Sequence, residues 1–547
     1  MQSLLLRFLP LCRLVGSLAI IGLLSACTLV PFKHGTCANE PEPTTATSSI
    51  NCAGFTWGHT SPDSDLTHLP TEKLSASVLP NGVFVGVAMS GGGSRAANFS
   101  AAALLALQRE GFLQHVAAIS SVSGSSLTAA YYGLFRDTPQ WQNETIVRER
   151  LQRNFQTEWL KRWFYPHHFV RFWFTQFDRS DIMKQVFDDL LFEHRNPPLT
   201  FGDMTGRAGD SDRVAQSSST TSPEEKLPKI LINASTLNGE NFTFTKENFK
   251  TQLNSRIDSY PVSHAVMASA AFPGVMNNVT LQNYNFGNPE QYLHLLDGGP
   301  TDNLGVKALR RTLINVVKNS ATAQHKLRGC FLFLVDVYPD VAGATHDQQV
   351  NHDHSREPDS RKPLDYILDS NLQDAYDQLL SNHRIEMLST LGYRGKKVGE
   401  DAYWRFKPFM ANGVSGENII APEGSDLVCH VWHLTFQRLR YLKSKELAPT
   451  CRRSGVFLYP YNGKDDRFPG CEPTDPACPP TVQLTERVSE IKTRFRLRAN
   501  WWSSSNTVKQ IQDDLFCAAD TLVTMDEGAL GAARAAFLEW GLPVSDR

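Results

Sequence analysis

The chain has 547 residues, 41% of them hydrophobic and 20% charged, with a formal net charge of -2. That length can bury a large core, and allows several domains on a rough guide of ~150 residues each. The near-neutral balance carries no broad positive footprint, so a nucleic acid is excluded as an expected partner.

In chain order, Arg7 and Arg13 precede a run, Leu14 to Ala26, that is apolar or small throughout, the pattern of an export signal. Cys27 follows at once, and "LLSAC" resembles a bacterial lipobox. The resemblance implies that residues 1–26 are removed as a lipoprotein signal peptide and that Cys27 is acylated. The protein is then expected in a bacterial cell envelope, held to the membrane by a lipid anchor; Thr28 after the cysteine leans towards the outer membrane. An uncut anchor is the alternative, because Leu14 to Phe32 carries no charge. With Cys12 removed and Cys27 occupied, an even set of eight cysteines remains, of which Cys37/Cys52 and Cys471/Cys478 are the easiest local bridges. Connectivity stays open, as does the alternative of buried free thiols.

Residues 27–80, rich in Pro, Thr and Ser ("NEPEPTTATSS"), read as a tether and entry segment. Order is expected from about residue 81. "GVFVGVAMS" suits a buried strand, "RAANFSAAALLALQREG" a helix closed by Gly111, "VAAISSVS" a second strand and "LTAAYYGLF" a second helix. Further strands are expected at "KILINAST", "FTFT", "YLHLLD" and "CFLFLVDV", with a helix at "HAVMASAAF". This alternation predicts an α/β fold: a mainly parallel sheet in a three-layer α/β/α arrangement spanning residues 81–345. Residues 206–226 and 346–362 read as exposed polar loops. Residues 346–547 are expected to be a C-terminal, largely helical elaboration packed on the core. It holds a strong helix pattern at 364–389, a strand at "LVCHVWHLTF" and a closing helix at "DEGALGAARAAFLEWG".

Three turns carry residues suited to chemistry. "SGGGSRA" (Ser90–Ala96) follows the first strand, and successive glycines let several amides point at one anion from a helix N-terminus. It lacks the lysine of a nucleotide phosphate loop and the third glycine of a dinucleotide turn, which leaves an oxyanion or a purely structural role. "SVSGS" (Ser121–Ser125) follows the second strand, where a sharp strand-to-helix turn would push the hydroxyl of Ser123 above the sheet. A serine-rich helix cap is the alternative. "LLDGGPTDNLG" places Asp297 at the end of a strand, before two glycines that leave its carboxylate free to approach another loop.

Together, in this order, the three turns resemble the patatin-like phospholipases, and "INASTLNGENFTF" and "AVMASAAFPGV" agree with that likeness. The resemblance covers roughly residues 82–340, and "SVSGSS" is nearer to the elbow of the cytosolic phospholipase branch than to that of plant patatins. It departs from the family's pattern at Ser121 and Ser125, where glycines usually stand, and at Ala96. The resemblance implies a nucleophile at Ser123, a general base at Asp297 and oxyanion donors at Gly91, Gly92 and Gly93, with Arg95 positioned by the same loop. It implies hydrolysis of acyl esters of phospholipid or lysophospholipid through an acyl-enzyme; no cofactor is expected, and with no calcium-loop motif no metal requirement is expected. In this scheme a carboxylate takes the serine proton with no histidine between them. Solvated aspartate is a poor base (pKa ~3.9), so partial burial is expected to raise its proton affinity. An acyltransferase using the same pair, or a degenerate membrane-tethered binding protein, are the alternatives.

Two further features stand outside these motifs. Trp163–Phe177 ("WFYPHHFVRFWFTQF") is dense in aromatics and suits either a buried helix–helix contact or a lipid interface. The histidine pairs His167/His168, His352/His354 and His430/His433 lack the companions of a recognisable metal set and are expected in solvent or core.

Overall fold

The computed structural model describes residues 79–175, 177–205, 228–285, 292–321, 327–338, 429–442, 446–449 and 505–545, with short pieces at 40–41, 395–398 and 403–406 and isolated residues between 379 and 391 and at 451, 484 and 488. The leader, Cys27 and most of the tether therefore lie outside the described residues, as do the loops 206–226 and 346–362 and most of the helical pattern at 364–389.

The first apolar run forms β1 (Val83–Met89), which is buried along its whole length. Successive side chains of a strand point to opposite faces, so a strand without polar residues needs cover on both. That cover is present. Val83, Val85, Val87 and Met89 join one hydrophobic cluster, while Phe84 and Ala88 join another on the opposite face. α1 (Gly93–Arg109), β2 (Ala118–Val122) and α2 (Ser125–Phe135) follow. A helical stretch then contains α3 (Phe155–Trp163), α4 (Pro166–Phe174) and α5 (Arg179–Leu190). The chain returns to the sheet with β3 (Lys229–Thr236), β4 (Asn241–Phe244), α6 (Val262–Ser269), β5 (Val279–Gln282), β6 (Tyr292–Asp297), α7 (Val306–Ala321) and β7 (Gly329–Asp336).

The strands are ordered β8-β7-β1-β2-β3-β6-β5, with β4 beside β3, where β8 is Cys429–Thr435. β8, β7, β1, β2 and β3 run parallel to one another, and β4 and β6 pair antiparallel with β3, as β5 does with β6. Residues of α1, α2 and α6 pack on one face and residues of α7 on the other. The mainly parallel sheet between helical layers is the α/β class that the alternating pattern leads one to expect.

The register sets up the site. Val122 at the end of β2 lies opposite Asn233 of β3, and the next β3 residue, Ala234, lies opposite Asp297 of β6. The turn after β2 and the end of β6 are thus brought together across one strand, though about 175 positions separate them in sequence.

Residues far beyond 345 enter this body. β8 is the sheet's edge strand, and α8 (Ser505–Thr524) and α9 (Glu527–Glu539) add to the cluster that covers α1. Arg109 pairs with Asp520, Arg148 with Asp513 at 3.0 Å, and Arg534 with Glu110 at 2.6 Å. Disulfides join Cys330 of β7 to Cys429 of β8, and Cys451 to Cys517 of α8. These bridges span sequence separations of 99 and 66, so none of the four is a free thiol. The local pairs Cys37/Cys52 and Cys471/Cys478 lie outside the described residues.

Candidate active site

Ser123 occupies the turn between β2 and α2 with φ 53°, a left-handed conformation that L-residues with a side chain rarely adopt. The turn is tight because Gly124 presses on the first loop: a Cβ on Gly124 would sit 1.9 Å from the Gly93 carbonyl oxygen. Only glycine fits there.

The neighbouring serines hold this turn. Ser125 Oγ accepts the Val122 N–H at 3.0 Å and lies 2.9 Å from the carbonyl oxygens of both Met89 and Val122. Ser121 Oγ donates to the Leu231 carbonyl, and Ser126 Oγ lies 3.1 Å from Ser121 Oγ. Ser120 Oγ accepts from Asn233 Nδ2 at 2.8 Å. Ser120, Ser121, Ser125 and Ser126 are all fully buried. A buried hydroxyl left without a partner costs ~1–3 kcal/mol, and here each has one. Ser121 and Ser125 are therefore built into the hydrogen-bonding of the turn.

Ser123 Oγ donates to Asp297 Oδ2 at 2.7 Å. The other carboxylate oxygen, Oδ1, accepts the Gly299 N–H at 2.8 Å, and Asp297 is 5% exposed. No histidine stands between the hydroxyl and the carboxylate.

Both residues are gripped by the end of α6. The Ser123 N–H donates to Ser269 Oγ at 2.8 Å, the Gly298 N–H donates to the Ser269 carbonyl at 3.1 Å, and the Asp297 N–H donates to the Ala271 carbonyl at 2.9 Å. Ser269 Oγ in turn donates to the Asn233 carbonyl at 2.6 Å. Sequence reasoning places this stretch in a helix but assigns no role to Ser269. A small hydroxyl inside an apolar helix has no distinguishing spacing.

The glycine loop lies alongside. Gly92 has φ 141° and Gly93 has φ 60°, and α1 begins at Gly93, so the first amides of that helix have no carbonyl of a preceding turn to meet. The Gly91 N–H is committed elsewhere: it donates to the Asn303 carbonyl at 2.9 Å. Gly91 is therefore corrected from oxyanion donor to anchor of the loop, and Asn303, absent from the sequence reading, is the residue that holds it. Arg95 is buried in the first turn of α1, with Nη2 3.4 Å from where a Gly92 Cβ would stand. Asp302 accepts the N–H groups of Val306 and Lys307 and so starts α7; burial pushes its carboxyl up to about 6, against the pull of those two donors.

A cavity of about 680 Å³, its open mouth included, adjoins the pair and is lined by Ser123, Asp297, Gly93 and Ser94, then by Leu127, Phe155, Met183, Phe187, Met267, Phe272 and Met276 among others. A lining that is polar around Ser123 and Asp297 and mostly apolar elsewhere suits a molecule with a reactive head and a hydrocarbon body.

Other sequence candidates fall away from this centre. His433 Nε2 lies 2.8 Å from Asp336 Oδ2 in a buried cluster with Arg384, and His168 Nδ1 meets the Arg162 carbonyl at 2.7 Å. The aromatic run is not the buried helix–helix contact that it could have been: in α4 only His168 is buried. Among the described residues no helix is long and apolar enough to cross a membrane.

An α/β domain with a serine–carboxylate pair at its strand ends, a glycine loop beside it and an apolar cavity defines a class of protein, and one family model agrees with it. Residues 87–310 match the model of the patatin-like phospholipase family. Among solved structures, the chain is similar to the human GIVD cytosolic phospholipase A2, with a TM-score of 0.40 and 14% identity, over 86% of this chain and 62% of that one. A structure of the same human enzyme with methyl gamma-linolenyl fluorophosphonate and terbium chloride gives a TM-score of 0.36 at 14% identity, over 84% and 60%. VipD from Legionella pneumophila gives 0.24 at 11% identity, over 74% and 66%. The chain thus spans somewhat less than two thirds of the human structures' length. No curated protein matches the chain.

Proposed function

We propose that this protein is a lipid acyl hydrolase that cleaves acyl esters of phospholipids or lysophospholipids through Ser123 and Asp297. The observation that carries the reading is the 2.7 Å hydrogen bond from Ser123 Oγ to Asp297 Oδ2 at the polar end of an apolar cavity. Asp297 accepts the hydroxyl proton as Ser123 attacks the ester carbonyl, which converts a weak nucleophile into an effective one. The oxygen that becomes negative is received by the amides of Gly92 and Gly93. Loss of one such donor typically costs on the order of a hundredfold in rate. When the tetrahedral intermediate collapses, the alcohol leaves with the proton held by Asp297, and the acyl group stays on Ser123. Water, deprotonated by the same carboxylate, then releases the fatty acid. The buried methionine and phenylalanine side chains of the cavity hold the acyl chain.

A fluorophosphonate probe is expected to label the wild-type chain and not Ser123→Ala. Asp297→Asn, which keeps the shape and loses the base, is expected to lower ester turnover on the order of a thousandfold. Undiminished hydrolysis by either variant ends this reading. Export and acylation at Cys27, with residence in a bacterial envelope, form the second part of the proposal; they rest on the leader and lipobox pattern, and the mass of the mature N-terminal peptide tests them.

A further inference from the structure

Among the described residues eight large apolar side chains are exposed, and five of them, Phe164, Tyr165, Phe169, Val170 and Phe174, fall within eleven consecutive positions. Phe164 and Phe174 are the most exposed, at 79% and 82%. Water-facing carbon on this scale marks an interaction surface rather than ordinary surface scatter. The surroundings are cationic: between Trp159 and Phe177 there is no Asp or Glu, but there are Lys161, Arg162 and Arg171. Arg162 is committed to Glu158 and Asp189, Lys161 is exposed with its Nζ 3.9 Å from Glu158, and the Arg171 guanidinium lies over the Phe177 ring at 4.2 Å.

Two helices that line the cavity flank the patch in the chain. α3 supplies Phe155 and Gln156 to the cavity wall and leads into α4 through Phe164 and Tyr165; α5, which follows α4, supplies Met183 and Phe187. The exposed helix is therefore bracketed by two helices whose inner sides line the site.

We propose that Phe164–Phe174 is the surface by which this protein docks on an anionic lipid–water interface, with α4 lying flat and its aromatic side chains inserted among the acyl chains beside the cavity mouth. At nine residues α4 is too short to span a bilayer but long enough to lie in its surface. Aromatic rings with basic neighbours match that boundary, where carbon meets anionic head groups. A second copy of the chain fits less well, because Phe164–Phe174 carries Arg171 and no acidic residue that could pair with it across a two-fold contact. The choice of lipid as occupant rests on the acyl-hydrolase reading above.

The test uses the chain from Thr28 onward, so that neither the apolar leader nor an acyl anchor contributes, carrying Ser123→Ala, so that the vesicles stay intact. This parent is floated with phosphatidylcholine vesicles with and without phosphatidylglycerol, alongside a version that also carries Phe164→Ser, Phe169→Ser and Phe174→Ser. The expected result is binding of the parent, stronger with phosphatidylglycerol, and at least tenfold weaker partitioning of the triple variant. With Ser123 restored, the triple variant is expected to lose vesicle hydrolysis by a similar factor and to keep its rate on a monomeric short-chain ester within about twofold, which also shows that it folds. Equal flotation of the two forms overturns the proposal, as does a parent that never floats, or a parent that is dimeric while the triple variant is monomeric. If the triple variant loses flotation but no form with Ser123 hydrolyses any ester, the docking surface stands and the hydrolase reading falls.

Discussion

Ser123 holds a conformation that its side chain disfavours, by roughly 1–2 kcal/mol, and the surrounding hydrogen bonds oblige it to stay there. The bond from its N–H to Ser269 Oγ is the one that ties the turn to α6, and through the Ser269 and Ala271 carbonyls the same segment holds the Asp297 backbone. Ser269 is thus a positioning residue for both members of the pair. Ser269→Ala leaves the Ser123 N–H and the Asn233 carbonyl without this partner, at a cost of about 1–3 kcal/mol in stability. Turnover is expected to fall about tenfold or more, with little change in KM, because the apolar cavity is untouched while the Ser123 hydroxyl loses its fixed direction. Steady-state kinetics on a monomeric ester, together with the rate of fluorophosphonate labelling, measure this; an unchanged kcat in a folded Ser269→Ala protein refutes it.

At the scale of elements, β7 and β8 are joined to the rest by charge as well as by backbone pairing. Asp336, fully buried at the end of β7, accepts from Arg384 Nε at 2.8 Å and lies 2.8 Å from His433 Nε2 on β8. Burial alone would raise its pKa, but the Arg384 charge and the His433 hydrogen bond outweigh burial and hold the carboxyl well below the usual range. A carboxylate whose folded pKa is depressed contributes stability that is complete above the unfolded value near ~4 and is lost as pH falls below it. The cluster also backs the glycine loop, since the Val337 N–H, one residue on, donates to Ser90 Oγ at 3.0 Å. Arg384→Met keeps the bulk, strands a buried charge and is expected to cost about 3–5 kcal/mol at neutral pH. Removing the charge also removes the reason for the depressed pKa, so the deficit should narrow in mild acid. Denaturant midpoints at pH 7 and pH 4 check both signs, and an equal loss at the two values argues against the account.

For the whole molecule, the C-terminal region is part of the body that carries the site. α8 covers α1, the helix that begins at the glycine loop, and is secured by the Cys451–Cys517 bridge and by Arg148–Asp513 at 3.0 Å. Leu515, Phe516, Ala518, Ala519, Leu522 and Val523 are at most 1% exposed. Burying one large apolar side chain contributes ~1.5–3 kcal/mol, so Leu515, Phe516, Leu522 and Val523 together contribute about 6–12 kcal/mol, as much as the ~5–15 kcal/mol by which a typical protein is stable. A chain ending at residue 504 is therefore expected to be insoluble or unfolded rather than a smaller active enzyme; expression of that chain with circular dichroism and probe labelling decides, and a folded, labelled product would contradict it.

The local features were legible in the sequence because they depend on near neighbours. Buried strands show as short apolar runs, and "GVFVGVAMS" and "CFLFLVDV" mark β1 and β7. The turns at Ser123 and Asp297 show because a cramped backbone demands small residues at adjacent positions. The roles of Ser269 and Asn303, the commitment of the Gly91 amide and the long-range disulfides did not show. Each depends on a partner tens of positions or more away, and such pairings leave no periodicity. The exposure of Phe164–Phe174 belongs with them: aromatic residues have the same composition in a core as at a lipid boundary, and only the packing of α3 and α5 leaves α4 facing outward. The amino-acid order alone determined the elements and the reactive side chains, through steric and hydrophobic preferences that act over a few residues. The tertiary structure decided which of those side chains meet, because the strand register that sets Ser123 beside Asp297 depends on the whole sheet.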